Sequence, residues 1–281
     1  MPLKVRLTVI VENTAEGPGL LAEHGLACWI EFGQQTVLFD SGQGVVLAGN
    51  AYKLEVPLHE ADAVVLSHGH YDHTGGLAEV LRDNSRCTVF AHPAVLTPRF
   101  ARGKNDAVKE IGIPYSSERA MRQRFDLWIK TEKPTTVVNG LTATGPIPRV
   151  TNFEDTGGPF FLDRELRQPD PIVDDQALFF ETDGGTVVLL GCAHAGVINT
   201  LRYVRTLTEH RPIHAVLGGM HLVDASHERL SRTIEDIRRL GVKCLGPAHC
   251  TGSAAVATLW NAFPGRCLPC HVGSQFEFEI P

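Results

Sequence analysis

The chain has 281 residues, 43% of them hydrophobic and 21% charged, as expected of a soluble globular protein with a large core. No segment approaches the roughly eighteen uninterrupted apolar residues of a membrane span, and a formal charge of −6 without a dense Lys/Arg cluster excludes the electrostatic footprint of a nucleic-acid binder. Seven cysteines, an odd number without regular spacing, argue against a disulfide framework and for a reducing compartment, by default the cytoplasm.

The opening MPLKVRLTVIVEN alternates polar and apolar residues and has no cleavage-site pattern, so it reads as a first strand rather than a signal peptide. Strands are expected over Lys4–Glu12, Leu26–Phe32 and Gln35–Asp40, where β-branched and aromatic residues are separated by turn formers. From Asp62 onward the pattern changes to strand followed by helix, with helical spacing over Leu77–Arg82, Val197–Leu207, Glu228–Leu240 and Ser253–Asn261. Between about Pro98 and Lys133 a more polar, Arg- and Lys-rich stretch reads as a helical insertion over one edge of the sheet. No linker, low-complexity tract or repeat divides the chain, so a single α/β domain is expected.

Five apolar, strand-like runs end on histidine: AVVLSHGH with His68 and His70, TVFAHP with His92, VVLLGCAH with His194, AVLGGMH with His221 and CLGPAH with His249. Carboxyl ends of strands line one edge of an α/β sheet, where ligand sites form, so these imidazoles are expected to converge. His24, His59, His210, His214, His227 and His271 lack such a setting and are assigned to surface or core positions. The densest signal is SHGHYDHTGG. Extended geometry puts His68 and His70 on one face, while Asp72 and His73 follow in a turn entering a helix, within reach of a second position. Imidazole and carboxylate donors suit zinc, with manganese or iron as alternatives.

The run His68-Gly69-His70-Tyr71-Asp72-His73 resembles the HxHxDH signature of the metallo-β-lactamase superfamily, and Leu38-Phe39-Asp40-Ser41-Gly42 and Pro247-Ala248-His249-Cys250-Thr251-Gly252 agree with it. The implied fold is an αββα sandwich with metals at one edge. Within the superfamily the chain most resembles the branch similar to dihydropterin ribofuranosylaminobenzene-phosphate synthases, through Val11-Glu12-Asn13, Thr144–Arg149 with Phe153-Glu154, Asp174-Asp175-Gln176, Gly191–Gly196 and Gly218–Leu222. The resemblance implies a first metal position at His68 and His70 and a second at Asp72, His73 and His249. Where many relatives have a further histidine this chain reads TGPIPR, so His194 becomes the third ligand of the first position, with His92 next in line and otherwise a substrate contact. Cys192 stands where many dinuclear members carry a bridging aspartate, and reads as a thiolate ligand or a small buried residue. Asp40 either accepts a hydrogen bond from a ligand imidazole or caps a turn, and Asp175 has the same two readings.

A histidine-held divalent ion lowers the pKa of its water to about 7, so the expected chemistry is hydrolysis of an ester, lactone or phosphoester by a metal-activated hydroxide, with two ions. Asp72 is expected to position that hydroxide and take its proton, His221 to donate to substrate or leaving group, and Arg149 and Glu154 to contact substrate, Arg149 as an anion clamp. The expected partner is a small molecule, and a homo-oligomer stays open. The rival readings are a transferase joining a pterin to an aryl riboside phosphate, and a mononuclear iron dioxygenase. Cys267-Leu268-Pro269-Cys270-His271 fits a haem-attachment pattern but lacks the export context that chemistry needs.

Overall fold

The computed structural model describes residues 3–103, 105 and 107–280. Three antiparallel strands open it: β1 (Leu3–Val11), β2 (Ala27–Phe32) and β3 (Gln35–Phe39). Helix α1 (Leu47–Lys53) follows, then β4 (Ala63–Val65), parallel to β3. Two short helices, α2 (Tyr71–Thr74) and α3 (Leu77–Arg82), lead into β5 (Thr88–Ala91), parallel to β4.

The segment expected as a helical insertion is only partly helical. It holds strands β6 (Phe100–Arg102) and β7 (Val108–Glu110), one eight-residue helix, α4 (Tyr115–Arg122), and strand β8 (Trp128–Lys130). The last extends the first sheet beside β5, and a basic, polar composition did not reveal that such short strands find partners. The expected strand–helix alternation also fails over residues 135–190. That stretch is β9 (Thr135–Val138), β10 (Leu141–Ala143), β11 (Phe160–Phe161), β12 (Ala177–Thr182) and β13 (Gly185–Leu190), with β9/β10 and β12/β13 antiparallel. Asn139-Gly140 and Asp183-Gly184-Gly185 join those pairs, with Gly140 at φ 92° and Gly185 at φ 122°, as tight hairpin turns require. Alternation resumes with α5 (Val197–Leu207), β14 (Ile213–Gly219), α6 (His227–Leu240), β15 (Cys244–Ala248) and α7 (Ser253–Ala262), and β16 (Gln275–Ile280) closes the chain against β1.

Two sheets result, ordered β16-β1-β2-β3-β4-β5-β8 and β15-β14-β13-β12-β10-β9, with β11-β6-β7 a small third. Because strand side chains alternate, each large sheet has two apolar faces. Ile30, Phe39 and Val65 of the first sheet meet Val187, Leu189 and Leu217 of the second in one buried cluster, so the sheets pack face to face. Their neighbours Trp29, Leu38 and Val64 point the other way, beneath α1 and α3, and Val188, Leu190 and Val216 lie beneath α5, α6 and α7. The arrangement is the expected αββα sandwich in one domain. Phe32 and Phe180 meet edge to face at 5.7 Å between the sheets, a geometry worth about 0.5–1.5 kcal/mol beyond its buried area.

Candidate metal centre

The parallel strands of both sheets end at the same edge. Asp40 follows β3, Ser67–His70 follow β4, Cys192–His194 follow β13, His221 follows β14 and His249 follows β15. The loop after β4 can turn there because residue 69 is glycine: a Cβ would stand 2.4 Å from the Val95 carbonyl oxygen and 2.7 Å from Arg99 Nη1. The Gly69 N–H donates to Asp174 (2.9 Å), and the buried Arg99 pairs with both Asp174 and Asp170, so an internal ion-pair group clamps the middle of the HGH run.

Four of the imidazoles share one polarity, and His70, whose Nδ1 turns toward His68 Nε2, is the exception. His73 Nδ1–H donates to Asp40 Oδ2 (2.7 Å), His249 Nδ1–H to Asn13 Oδ1 (2.8 Å), and His194 Nδ1–H to the Thr156 carbonyl (2.8 Å). Ser67 Oγ donates to Asp40 Oδ2 (2.7 Å), so it accepts from His68 Nδ1–H (2.9 Å). Four rings thereby turn an unprotonated Nε2 inward, the orientation that outer hydrogen bonds impose on metal-ligating histidines. The freed nitrogens crowd together: His73 Nε2 is 3.1 Å from both His249 Nε2 and Cys192 Sγ, and His68 Nε2 is 2.9 Å from His70 Nδ1. His70 Nε2 and His194 Nε2 are buried without any hydrogen-bond partner. Buried nitrogens without partners cost free energy that a cation would recover, so the donor set fits a bound metal.

Electrostatics point the same way at three rings, whereas at His73 burial, which lowers the imidazole, is outweighed by the Asp40 and Asp72 carboxylates, which raise it above its ordinary value. Burial holds His68, His70 and His194 well below the ordinary imidazole value; neighbouring imidazoles add to this at His68 and His194, and the Arg99 charge adds to it at His70. Neutral imidazole is the form that ligates. Burial opposes the charge on Asp72, but His73 beside it and a hydrogen bond from His24 outweigh that and hold the carboxyl well below its ordinary value. Burial pushes the Cys192 thiol up.

His68, His70, Asp72, His73, His194 and His249 thus come together, and His221 stands at their edge, its ring 4.2 Å from that of His194. A cavity of about 360 Å³ opens onto His70, Asp72, His194, His221 and His249, with Phe160, Ile111 and Val223 as apolar wall and His68 and His73 outside its lining. Phe160 belongs to β11, which pairs with β6, and Ile111 follows β7, so the 98–133 segment helps to form that wall.

Three expected substrate contacts are corrected. His92 does not line the cavity; its Nδ1 accepts from the Ala94 N–H (3.1 Å) and caps a short 3-10 turn, which also removes it as a ligand. Arg149 donates to the carbonyls of His194 (2.8 Å) and Pro171 (2.7 Å), fastening the ligand loop from behind. Glu154 accepts from the N–H groups of Ile198 (2.8 Å) and Asn199 (2.9 Å) and from Thr151 Oγ1 (3.0 Å), so it caps the amino end of α5. Asp40 is the acceptor for His73, and Asp175 Oδ2 accepts from the Ala195 N–H (2.7 Å).

His24, assigned above to surface or core, belongs to the centre. Its Nε2 lies 3.1 Å from Asp72 Oδ2, and His24, Asp72 and His249 form one compact donor group. It comes from a loop rather than a strand end, and only Gly25 hinted at the approach: a Cβ there would stand 2.5 Å from the Asp72 carbonyl oxygen.

A family model described as the metallo-beta-lactamase superfamily matches residues 22–249. The chain is 27% identical over 271 residues to the 7,8-dihydropterin-6-methyl-4-(beta-D-ribofuranosyl)-aminobenzene-5'-phosphate synthase of Methanocaldococcus jannaschii, covering 92% of this chain and 90% of that protein. It is 31% identical over 254 residues to an uncharacterised protein of the same organism, covering 90% and 93%. Among solved structures, a metal-dependent hydrolase of the beta-lactamase superfamily superposes with a TM-score of 0.79 at 27% identity, covering 98% of this chain and 99% of that one.

Proposed function

This chain belongs to the metallo-beta-lactamase superfamily, and on that premise we propose that it is a metal-dependent hydrolase of a small ester or lactone, in the cytoplasm. Two divalent ions are held, zinc first among the candidates: one by His68, His70 and His194, the other by Asp72, His73 and His249, with Cys192 within reach of both groups. The observation that carries this reading is the common orientation of four imidazoles, those of His68, His73, His194 and His249, whose outward Nδ1–H bonds leave Nε2 free for a cation. Such ions supply Lewis acidity and a water that ionises near neutral pH.

The protein's own residues do the rest. Asp72, anionic in its setting, orients the attacking water through its carboxylate and accepts its proton. His221 reaches into the cavity beside His194, but its Nε2–H is held by the Gly157 carbonyl (3.2 Å), so the ring is left with an acceptor nitrogen and is not placed as the expected donor to the leaving group. Phe160, Ile111 and Val223 bind the apolar part of the substrate and exclude bulk water. Among the described residues the cavity wall carries no lysine or arginine, which favours an uncharged ester or lactone over a phosphorylated compound. Seven unpaired cysteines support the reducing compartment.

Group transfer is the second reading, because the 27% identical relative is a synthase. The metal-loaded protein, screened against esters, lactones and phosphodiesters and against a dihydropterin with an aryl riboside phosphate, separates the two. Turnover of an ester or lactone that falls by at least about a hundredfold in Asp72→Ala is the expected result; condensation of the pterin pair without hydrolysis would overturn it.

A further inference from the structure

The wall of the same cavity holds a second kind of donor. Cys192, Cys250 and His221 each offer one ligand atom, and the three atoms lie within 4.8 Å of one another. They sit at the carboxyl ends of β13, β15 and β14, so the two parallel ladders that join those strands set their spacing. The His221 ring is poised to ligate. Its Nε2–H donates to the Gly157 carbonyl (3.2 Å), which leaves Nδ1 as the bare nitrogen, and Nδ1 is buried without a hydrogen-bond partner.

The surrounding backbone is shaped to permit this. A Cβ on Gly157 would stand 1.8 Å from His221 Cδ2, and one on Gly219 would stand 2.7 Å from Cys250 Sγ, so both positions need glycine. His221 itself adopts φ 44°, a left-handed conformation that a residue with a side chain rarely adopts. In that conformation its own N–H donates to Cys250 Sγ (3.3 Å). Neither the imidazole–carboxylate centre nor simple packing requires a left-handed histidine that keeps one buried nitrogen without a partner beside two cysteines.

We propose that Cys192, Cys250 and His221 form a further site, for a thiophilic cation, alongside the imidazole–carboxylate centre. Two sulfurs and one imidazole are a softer set than the nitrogen and oxygen donors next to them, and they select zinc, cadmium or copper(I) over magnesium, calcium or manganese. Binding displaces the thiol protons to solvent. Cys192 also stands in the donor groups of His68 with His194 and of His73 with His249, so a cation bound here draws on a sulfur that the main centre also reaches.

Cadmium ion is the probe. Metal-stripped full-length protein is titrated with Cd²⁺ while bound equivalents and thiolate-to-cadmium ultraviolet absorption are recorded, with circular dichroism confirming the fold of each variant. Wild type is expected to bind one equivalent more than Cys250→Ser, which should lose roughly half of the thiolate absorption because one sulfur of the pair remains. His221→Ala should keep both sulfurs but bind that equivalent more weakly. His68→Ala should lose an equivalent from the main centre and retain the thiolate signal, so failure of this site and failure of the main centre give different patterns. Equal stoichiometry and equal absorption in wild type and Cys250→Ser overturn the proposal. Should Cys250→Ser not fold, unchanged cadmium affinity in His221→Ala overturns it instead.

Discussion

In His68, His73, His194 and His249 the Nδ1–H is spent on an oxygen, and that single bond decides which nitrogen is left unprotonated. The oxygens come from four unrelated places: a serine, an aspartate, a backbone carbonyl and an asparagine. Asp175 acts one step further back, on the loop that carries His194. Burial raises its carboxyl from 3.8 to about 7, against the Ala195 N–H and the charge of Arg149. A folded-state pKa above the unfolded value means that this group's contribution to stability is complete below about 4 and is lost as pH rises through 7. Asp175→Asn should therefore gain melting temperature relative to wild type on going from pH 5.5 to pH 8, as thermal denaturation of the metal-free proteins would show; a difference independent of pH would contradict it. That His68, His70, His73, His194 and His249 come together was legible in the sequence because strand-end position and spacing mark them. Arg149, Glu154 and His92 were misread because residue type announces a charge or a ring but not the partner it finds, and His24 was missed because nothing in a polar loop shows that it folds back onto Asp72.

Elements matter here chiefly through their ends. Helix α5 starts three residues after His194, and its first N–H groups are satisfied by Glu154 from a distant loop. Removing that carboxylate in Glu154→Ala leaves buried donors unpaired and should cost about 1–3 kcal/mol of stability, read from denaturant unfolding, with metal content unchanged. An unchanged stability together with a raised KM would restore Glu154 to a substrate-binding role. Most strands and helices at the two ends of the chain follow from periodicity, as Gln35–Phe39, Leu77–Arg82 and Val197–Leu207 illustrate. The middle was harder. Strands of two to four residues such as β6, β7 and β11 are too short to show a period, and what stabilises them is pairing with segments remote in sequence.

At the scale of the molecule, two sheets packed face to face bring the ends of β3 and β4 opposite those of β13, β14 and β15, so candidate ligands more than a hundred residues apart share one edge. Neither sheet alone holds a complete centre: His68, His70, Asp72 and His73 come from the first, and Cys192, His194 and His249 from the second. Backbone left-handed at Asp40, Ala193, His221 and His249 clusters at this junction, as expected where a rigid sandwich holds its loops in a functional shape. Among the described residues no helix is long and apolar enough to cross a membrane. The general architecture was legible because a strong motif and a strongly alternating pattern agree, whereas the substrate depends on the few residues of the cavity wall, which come from short strands and loops. The most direct test of the whole account is the metal content, by elemental analysis, of protein purified without added metal, with His68→Ala and His249→Ala beside it. Near two divalent ions per chain in the main centre, reduced in each variant while the fold persists, is the result expected; no bound metal under any loading condition, or a content indifferent to both substitutions, would contradict it.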